Sequence, residues 1–234
     1  MSEAYAPVSP VKEQMAHLLA HQFEDLEQQH ETDTLGIWVF LVTEIMFFGG
    51  MFAAYTIYRS LYPVAFEAGS RALNVRLGAI NTMVLLSSSF TMAMAVRSAQ
   101  TARRKALTLF LVLTMLLGVL FLGIKGIEYH GEYFDRVVPS LNFAPQGEVL
   151  QRFTTGGLGR AELFMCFYFF MTGLHALHMI IGLSLLLVVL LRARCGVFSS
   201  QYYAPVEVMG LYWHFVDIIW IFLFPLLYLV GGRY

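Results

Sequence analysis

Three segments of this chain set acids, imidazoles and indoles inside long apolar runs, where such groups are expensive. An ionisable residue at mid-membrane depth costs about 2.5–3.5 kcal/mol on insertion scales, so each one needs a partner or a task. Glu44 stands in the run LGIWVFLVTEIMFFGGMFAAYTIY, about ten residues from its start. His175 and His178 make an HxxH pair in FFMTGLHALHMIIG. Trp213, His214 and Asp217 lie in EVMGLYWHFVDIIWIFLFPLLYLVG, which runs from Glu207 to Gly231.

The chemistry open to these groups is limited by their number and spacing. Glu44 is either a protonatable group beside a proton, oxygen or lipid path, or a carboxyl hydrogen-bonded to a neighbouring helix. His175 and His178, at i and i+3, project in nearby directions. A metal needs three or four ligands. The chain has seven histidines, three of them before residue 31, and no paired-cysteine spacing: its two cysteines are Cys166 and Cys195. That set is too small for a histidine-rich di-metal centre, and interhelical hydrogen bonding or lipid contact is the simpler reading. A haem on His175 or His178 is not excluded by spacing. Trp213, Asp217, Trp220 and Phe224 follow i, i+4, i+7 and i+11 and share one helix face. His214, one turn before Asp217, is placed to hydrogen-bond it. Arg192, at the end of an apolar run, is an interfacial anchor or a clamp for a lipid phosphate, which guanidinium binds bidentately.

These groups need helices to position them. Of 234 residues, 58% are hydrophobic and 13% charged, against about 25% charged in soluble domains. The fold expected is all-α, a polytopic bundle. Five runs are long enough to cross a bilayer, at about 35–58, 77–96, 106–129, 163–191 and 208–231. The third can continue as a projecting helix through Lys125 and Glu128. Gly49 with Ala53, and Gly50 with Ala54, would permit close helix approach in the first. Arg97, Arg103, Arg104 and Lys105 follow the second run, and Arg192 and Arg194 the fourth. The positive-inside rule makes that side cytoplasmic, with the N-terminus in and the C-terminus out.

Residues 1–34 form a polar segment ahead of the bundle at 35–234. Ser9 and Pro10 are a helix-start signal, and Met15, Leu18, Leu19, Phe23 and Leu26 repeat at helical spacing. This amphipathic helix either lies on its own domain or docks a partner subunit. A net charge of −1 gives no basic field for nucleic acid. The stretch TTGGLGR has neither a preceding strand nor a following GK[ST], so it is not a phosphate loop.

Taken in order, four segments resemble subunit III of the haem-copper oxidases, the cytochrome c oxidase subunit III family. They are WVFLVTEIMFFGGMFAAY from Trp38, LGVLFLGIKGIEY ending at Tyr129, FFMTGLHALHMIIG from Phe169, and YWHFVDIIWIFLFPLLYL from Tyr212. The third is close to the family pattern TGxHxLHxxxG and the fourth to YWHFVDxxWxxLF. Glu207 also falls where the family has an acid. The chain resembles the five-span form, which lacks the first two helices of seven-span members, so that their lipid-holding cleft is either absent here or completed by another subunit.

The resemblance implies an accessory subunit without a redox centre. Haem and copper are expected in partner subunits, bound phospholipid in this one. It implies a stabilising partner of subunit I, with contacts to subunit II or small subunits, that supports proton uptake and oxygen access in a bacterial plasma membrane. Glu44 matches the family's carbodiimide-reactive acid, and His178 and Arg192 match positions that contact lipid headgroups. Trp213, His214, Asp217, His175, Glu128 and Glu207 are then expected to form a structural intramembrane polar set. An accessory subunit of a quinol oxidase or a nitric oxide reductase remains an alternative. A self-contained proton-linked transporter is a third reading, disfavoured because no inverted repeat is visible.

Overall fold

The computed structural model describes residues 26–139, 141, 143–146, 150, 151, 153, 157–199 and 202–231. The helix read at the N-terminus lies, for all but its last residues, outside the described residues. Among the described residues there are six helices: α1 (Leu26–Leu61), α2 (Pro63–Ala72), α3 (Val75–Gln100), α4 (Arg104–Phe134), α5 (Leu158–Arg194) and α6 (Ala204–Tyr228). All but α2 are long and apolar enough to span a membrane. The helices outrun the apolar stretches at nearly every end, because backbone hydrogen bonding continues until a cap or a breaker stops it. Asn74 supplies one such cap, its side chain accepting from the Arg76 and Leu77 amides at 3.1 and 3.3 Å. The last span instead stops short of its apolar run, at Tyr228, three residues beyond Pro225.

Helices α3, α4, α5 and α6 pack in a ring, each against the next, and α6 closes the ring on α3. Helix α1 lies outside this ring, chiefly against α6. The most apolar window of α6 is 56% buried, that of α1 only 11%. Sequence periodicity alone did not distinguish these two environments, since both helices are apolar nearly all round.

Two local features depart from the expectations. Helix α2, absent from the five-span reading, starts on Pro63 and buries Ala65, Phe66, Ala68, Gly69 and Ser70. It packs against α5 so closely that a Cβ at Gly69 would overlap the Phe164 ring. Its C-terminal end also holds the last residues of the chain described: Arg71 Nε donates to the Gly231 carbonyl at 2.7 Å, and the Gly231 amide donates to Ser70 Oγ at 3.1 Å. Conversely, Gly49 and Gly50 have nothing within 4 Å of where a Cβ would be. Close approaches occur instead at glycines of other spans, among them Gly118 and Gly182, which both meet the Trp213 indole.

Candidate functional site

Glu44 and His178 face each other across a groove of about 780 Å³ between α1, α5 and α6. Apart from this pair the walls are largely apolar, with Ile37 and Phe40 from α1, Leu185 and Val188 from α5 and Met209 from α6. Glu44 Oε2 lies 3.2 Å from His178 Nε2, an ion-pair distance without the alignment of a full hydrogen bond. The imidazole is fixed on its other side, Nδ1 lying 2.8 Å from the Leu174 carbonyl. Phe48 packs edge-on against the ring at 5.4 Å, and the Tyr212 hydroxyl donates to the His178 carbonyl at 2.9 Å.

The α5 wall is a single stripe. His178, Ile181, Leu185 and Val188 recur at helical spacing and line the groove, and Arg192 continues the stripe one turn further, exposed. Fourteen residues separate His178 from Arg192, about 21 Å of helix rise. The two therefore sit at different depths. His178 lines the groove, and Arg192 lies beyond the lining residues in the last turn of α5.

Helix α6 carries most of the other polar residues read from the sequence, and the structure distributes them along its length. Trp213 Nε1 donates to Ser88 Oγ at 3.0 Å, and Trp220 Nε1 to Thr82 Oγ1 at 3.1 Å, both on α3. Glu207 accepts from Gln100 Nε2 at 3.2 Å. The expected His214–Asp217 hydrogen bond is not formed. His214 Nδ1 pairs with Ser89 Oγ at 2.7 Å on the neighbouring helix. That hydroxyl also faces Asp217, whose two oxygens are buried with no hydrogen bond of good geometry. The imidazole instead finds its hydrogen-bond partner on α3. His175 is buried with neither ring nitrogen bonded, its ring against Trp220 and Phe121 at centroid distances of 5.1 and 5.5 Å.

A second cluster, near the other end of α4, went largely unread in the sequence. Lys125 Nζ donates to Glu128 Oε2 at 2.9 Å, to Tyr228 at 3.0 Å and to Tyr168 at 3.2 Å. Tyr228 in turn donates to Glu128 Oε1 at 2.6 Å. The rings of Tyr129, Tyr168, Trp220 and Tyr228 stand 5.0–5.7 Å from the ammonium. The Lys125 and Glu128 side chains are 3% and 2% exposed. Glu128 was read as structural, but its partner was not. The available signal was a lysine three residues before a glutamate inside a membrane-length helix. Among the described residues, no three histidine, cysteine, aspartate or glutamate side chains stand together as a metal donor set.

The sequence profile of the cytochrome c oxidase subunit III family matches residues 24–144 and 159–232. This chain belongs to the cytochrome c oxidase subunit III family. Cytochrome c oxidase subunit 3 of Thermostichus vulcanus is 32% identical over 212 residues, covering 90% of each chain. The Synechocystis cytochrome c oxidase subunit 3 is 36% identical over 196 residues, 83% of this chain and 74% of the relative. Quinol oxidase subunit 3 of Bacillus subtilis is 28% identical over 213 residues, 88% of this chain and 92% of the relative. All four motif segments fall inside the matched ranges, so the subunit III pattern covers the groove, the α6 contacts and the Lys125 cluster alike. As a subunit III, the chain is a multi-pass membrane component of a haem-copper oxidase complex of the respiratory chain.

Proposed function

We propose that this subunit III is the accessory, non-redox partner of the catalytic subunit of a proton-pumping haem-copper terminal oxidase, and that it holds a phospholipid in the groove beside Glu44. The haem and copper belong to partner subunits; this chain stabilises subunit I. The observation that carries the lipid reading is the stripe on α5. Arg192 at the membrane surface offers a guanidinium for a phosphate, and Val188, Leu185 and Ile181 lead inward as an apolar track for an acyl chain. The track ends at Glu44 and His178, which places the only polar pair of the deep groove next to the lipid's chain rather than its headgroup. In this arrangement Arg192 is the headgroup contact, while Glu44 borders the apolar route by which oxygen, an apolar solute, reaches a partner subunit.

The basic residues of Arg97–Lys105, from the last turn of α3 to the start of α4, and Arg192 and Arg194 in the last turn of α5 lie on the same side as the start of α1. This supports a cytoplasmic N-terminus, and the five-span form is the ground for a bacterial plasma membrane location. The electron donor is set by other subunits, and relatives named for cytochrome c and for quinol oxidases both fit this chain. Affinity purification through this chain from native membranes, with haem spectra and lipid extraction, tests the reading. The expected result is a haem-copper catalytic subunit and retained phospholipid, the lipid being depleted in Arg192→Ala. A chain that purifies without a haem protein refutes the oxidase assignment. Equal lipid retention in Arg192→Ala refutes the groove assignment alone.

A further inference from the structure

We propose that the centre of the four-helix ring is a binding site for ordered water, held between His175 on α5 and Asn81 on α3. One layer of side chains crosses the ring at this depth, with a contribution from each helix. Asn81 Nδ2 donates to the Phe121 carbonyl of α4 at 3.4 Å. The Phe121 ring meets the His175 imidazole and the Trp220 indole of α6 edge-on, at centroid distances of 5.5 and 4.9 Å. Trp220 lies against His175 at 5.1 Å, and its Nε1 donates to Thr82, the residue after Asn81. Asn81 and His175 are 0% and 1% exposed.

Three side-chain atoms of this layer have no hydrogen-bond partner in the protein: Asn81 Oδ1 and both ring nitrogens of His175. The Asn81 amide is oriented by its one bond. A carbonyl only accepts, so the NH2 end stays on Phe121 and Oδ1 is left as a buried acceptor. An imidazole carries at least one N–H in either tautomer and in either charge state. The layer therefore holds an unused donor and an unused acceptor, on helices at opposite corners of the ring. Burying both dry costs the desolvation of each group, and a molecule that accepts from one and donates to the other recovers it. Water does both, and a buried water takes about two to four such partners. A cation would suit Oδ1 but would meet the imidazole N–H and the Lys125 ammonium, which stands over the Trp220 ring. An anion would suit the N–H but face the amide oxygen, and an apolar solute satisfies neither. The neighbouring polar groups are already engaged: Thr82 Oγ1 donates to the Gly78 carbonyl and accepts from Trp220, and Lys125 is held by Glu128 and two tyrosines. The water thus links α3 to α5 inside the ring, and the site is independent of what fills the groove.

The test uses the native membrane complex isolated through this chain, exposed to a synchrotron X-ray pulse, with hydroxyl-radical products mapped by mass spectrometry. Radicals formed from a bound water oxidise the side chains beside it, even where bulk water does not reach. Phe121 is the reporter and Phe164 the control. Both are phenylalanines at 0% exposure, but Phe164 packs with Tyr55 and Phe66, where the Tyr55 hydroxyl is already engaged by the Leu226 carbonyl. Phe121 is expected to oxidise several-fold faster than Phe164, and to fall to the Phe164 rate in Asn81→Leu and in His175→Phe. A Phe121 that reacts no faster than Phe164 in the unaltered chain overturns the proposal. So does a fast Phe121 rate that either variant leaves unchanged. The comparison of the two phenylalanines needs no substitution, so it decides the matter even if neither variant assembles.

Discussion

Replacing Lys125 with methionine keeps an unbranched apolar stem and removes the charge at the centre of the buried cluster. In the structure the ammonium makes three hydrogen bonds, joining Glu128 on its own helix to Tyr168 on α5 and Tyr228 on α6. Both members of the ion pair are almost fully buried, so solvent screening does not discount the interaction. Removing one partner of such a pair costs about 3–5 kcal/mol, because the other is left buried and uncompensated. Methionine recovers some packing against the four surrounding rings. The expected loss is therefore near the lower bound, about 3 kcal/mol. Glu128→Gln, which keeps an oxygen for the Tyr228 hydroxyl, should cost a similar amount. The double variant Lys125→Met, Glu128→Gln should be more stable than the sum of the two predicts, by about 1–3 kcal/mol. Unfolding free energies of the chain in bicelles, measured for the four members of this cycle, give the answer. A Lys125→Met variant within about 1 kcal/mol of the parent, or strict additivity of the cycle, would refute the reasoning.

The groove and the packing make further predictions. Glu44→Ala should leave complex assembly and haem content intact and abolish labelling of this chain by a hydrophobic carbodiimide; unchanged labelling would refute the site. Asp217→Leu should change stability by about 1 kcal/mol or less, or raise it, because the buried carboxyl it removes has no hydrogen bond of good geometry, facing only the Ser89 hydroxyl that His214 already engages. Ser89→Ala should cost about 1 kcal/mol by freeing His214, measured in the same unfolding assay. Gly69→Ala should cost about 1–3 kcal/mol, since the new methyl displaces the Phe164 ring between α2 and α5; a neutral thermal melt would show that the ring yields freely.

The five spans were legible because each is a continuous apolar run and membrane thickness fixes the length. The amphipathic α2 was not, because its apolar face is too short and interrupted to stand out between two spans. The residues of the groove were legible one by one: Glu44, His178 and Arg192 are conspicuous as polar groups in apolar surroundings. Their pairing was not. The distance between Glu44 and His178 depends on how α1 leans on α6, and no periodicity encodes that. The same limit explains the His214 result. A neighbour at i+3 is visible in the sequence, whereas Ser89 is on another helix, in a run with Ser87 and Ser88 that does not single it out. Lys125 was passed over because it reads as the polar end of a span; burial and the ring of tyrosines around it come only with the fold.

Helix α1 is fastened unevenly. At one end Tyr55 donates to the Leu226 carbonyl at 2.8 Å and its ring meets Phe66, Phe164 and Phe167. At the other end, by Thr32 and Gly36, the helix borders the groove. With the proposed lipid in the groove, α1 would be a rod clamped at one end and resting on a soft filling at the other. Its pivot would lie near Tyr55, and a small rotation there would be magnified along the rod toward Thr32 and Gly36. The width of the groove would then follow the bulk of what fills it. Two membranes of different acyl composition would give the same chain two different mouths, with the aromatic clamp unchanged.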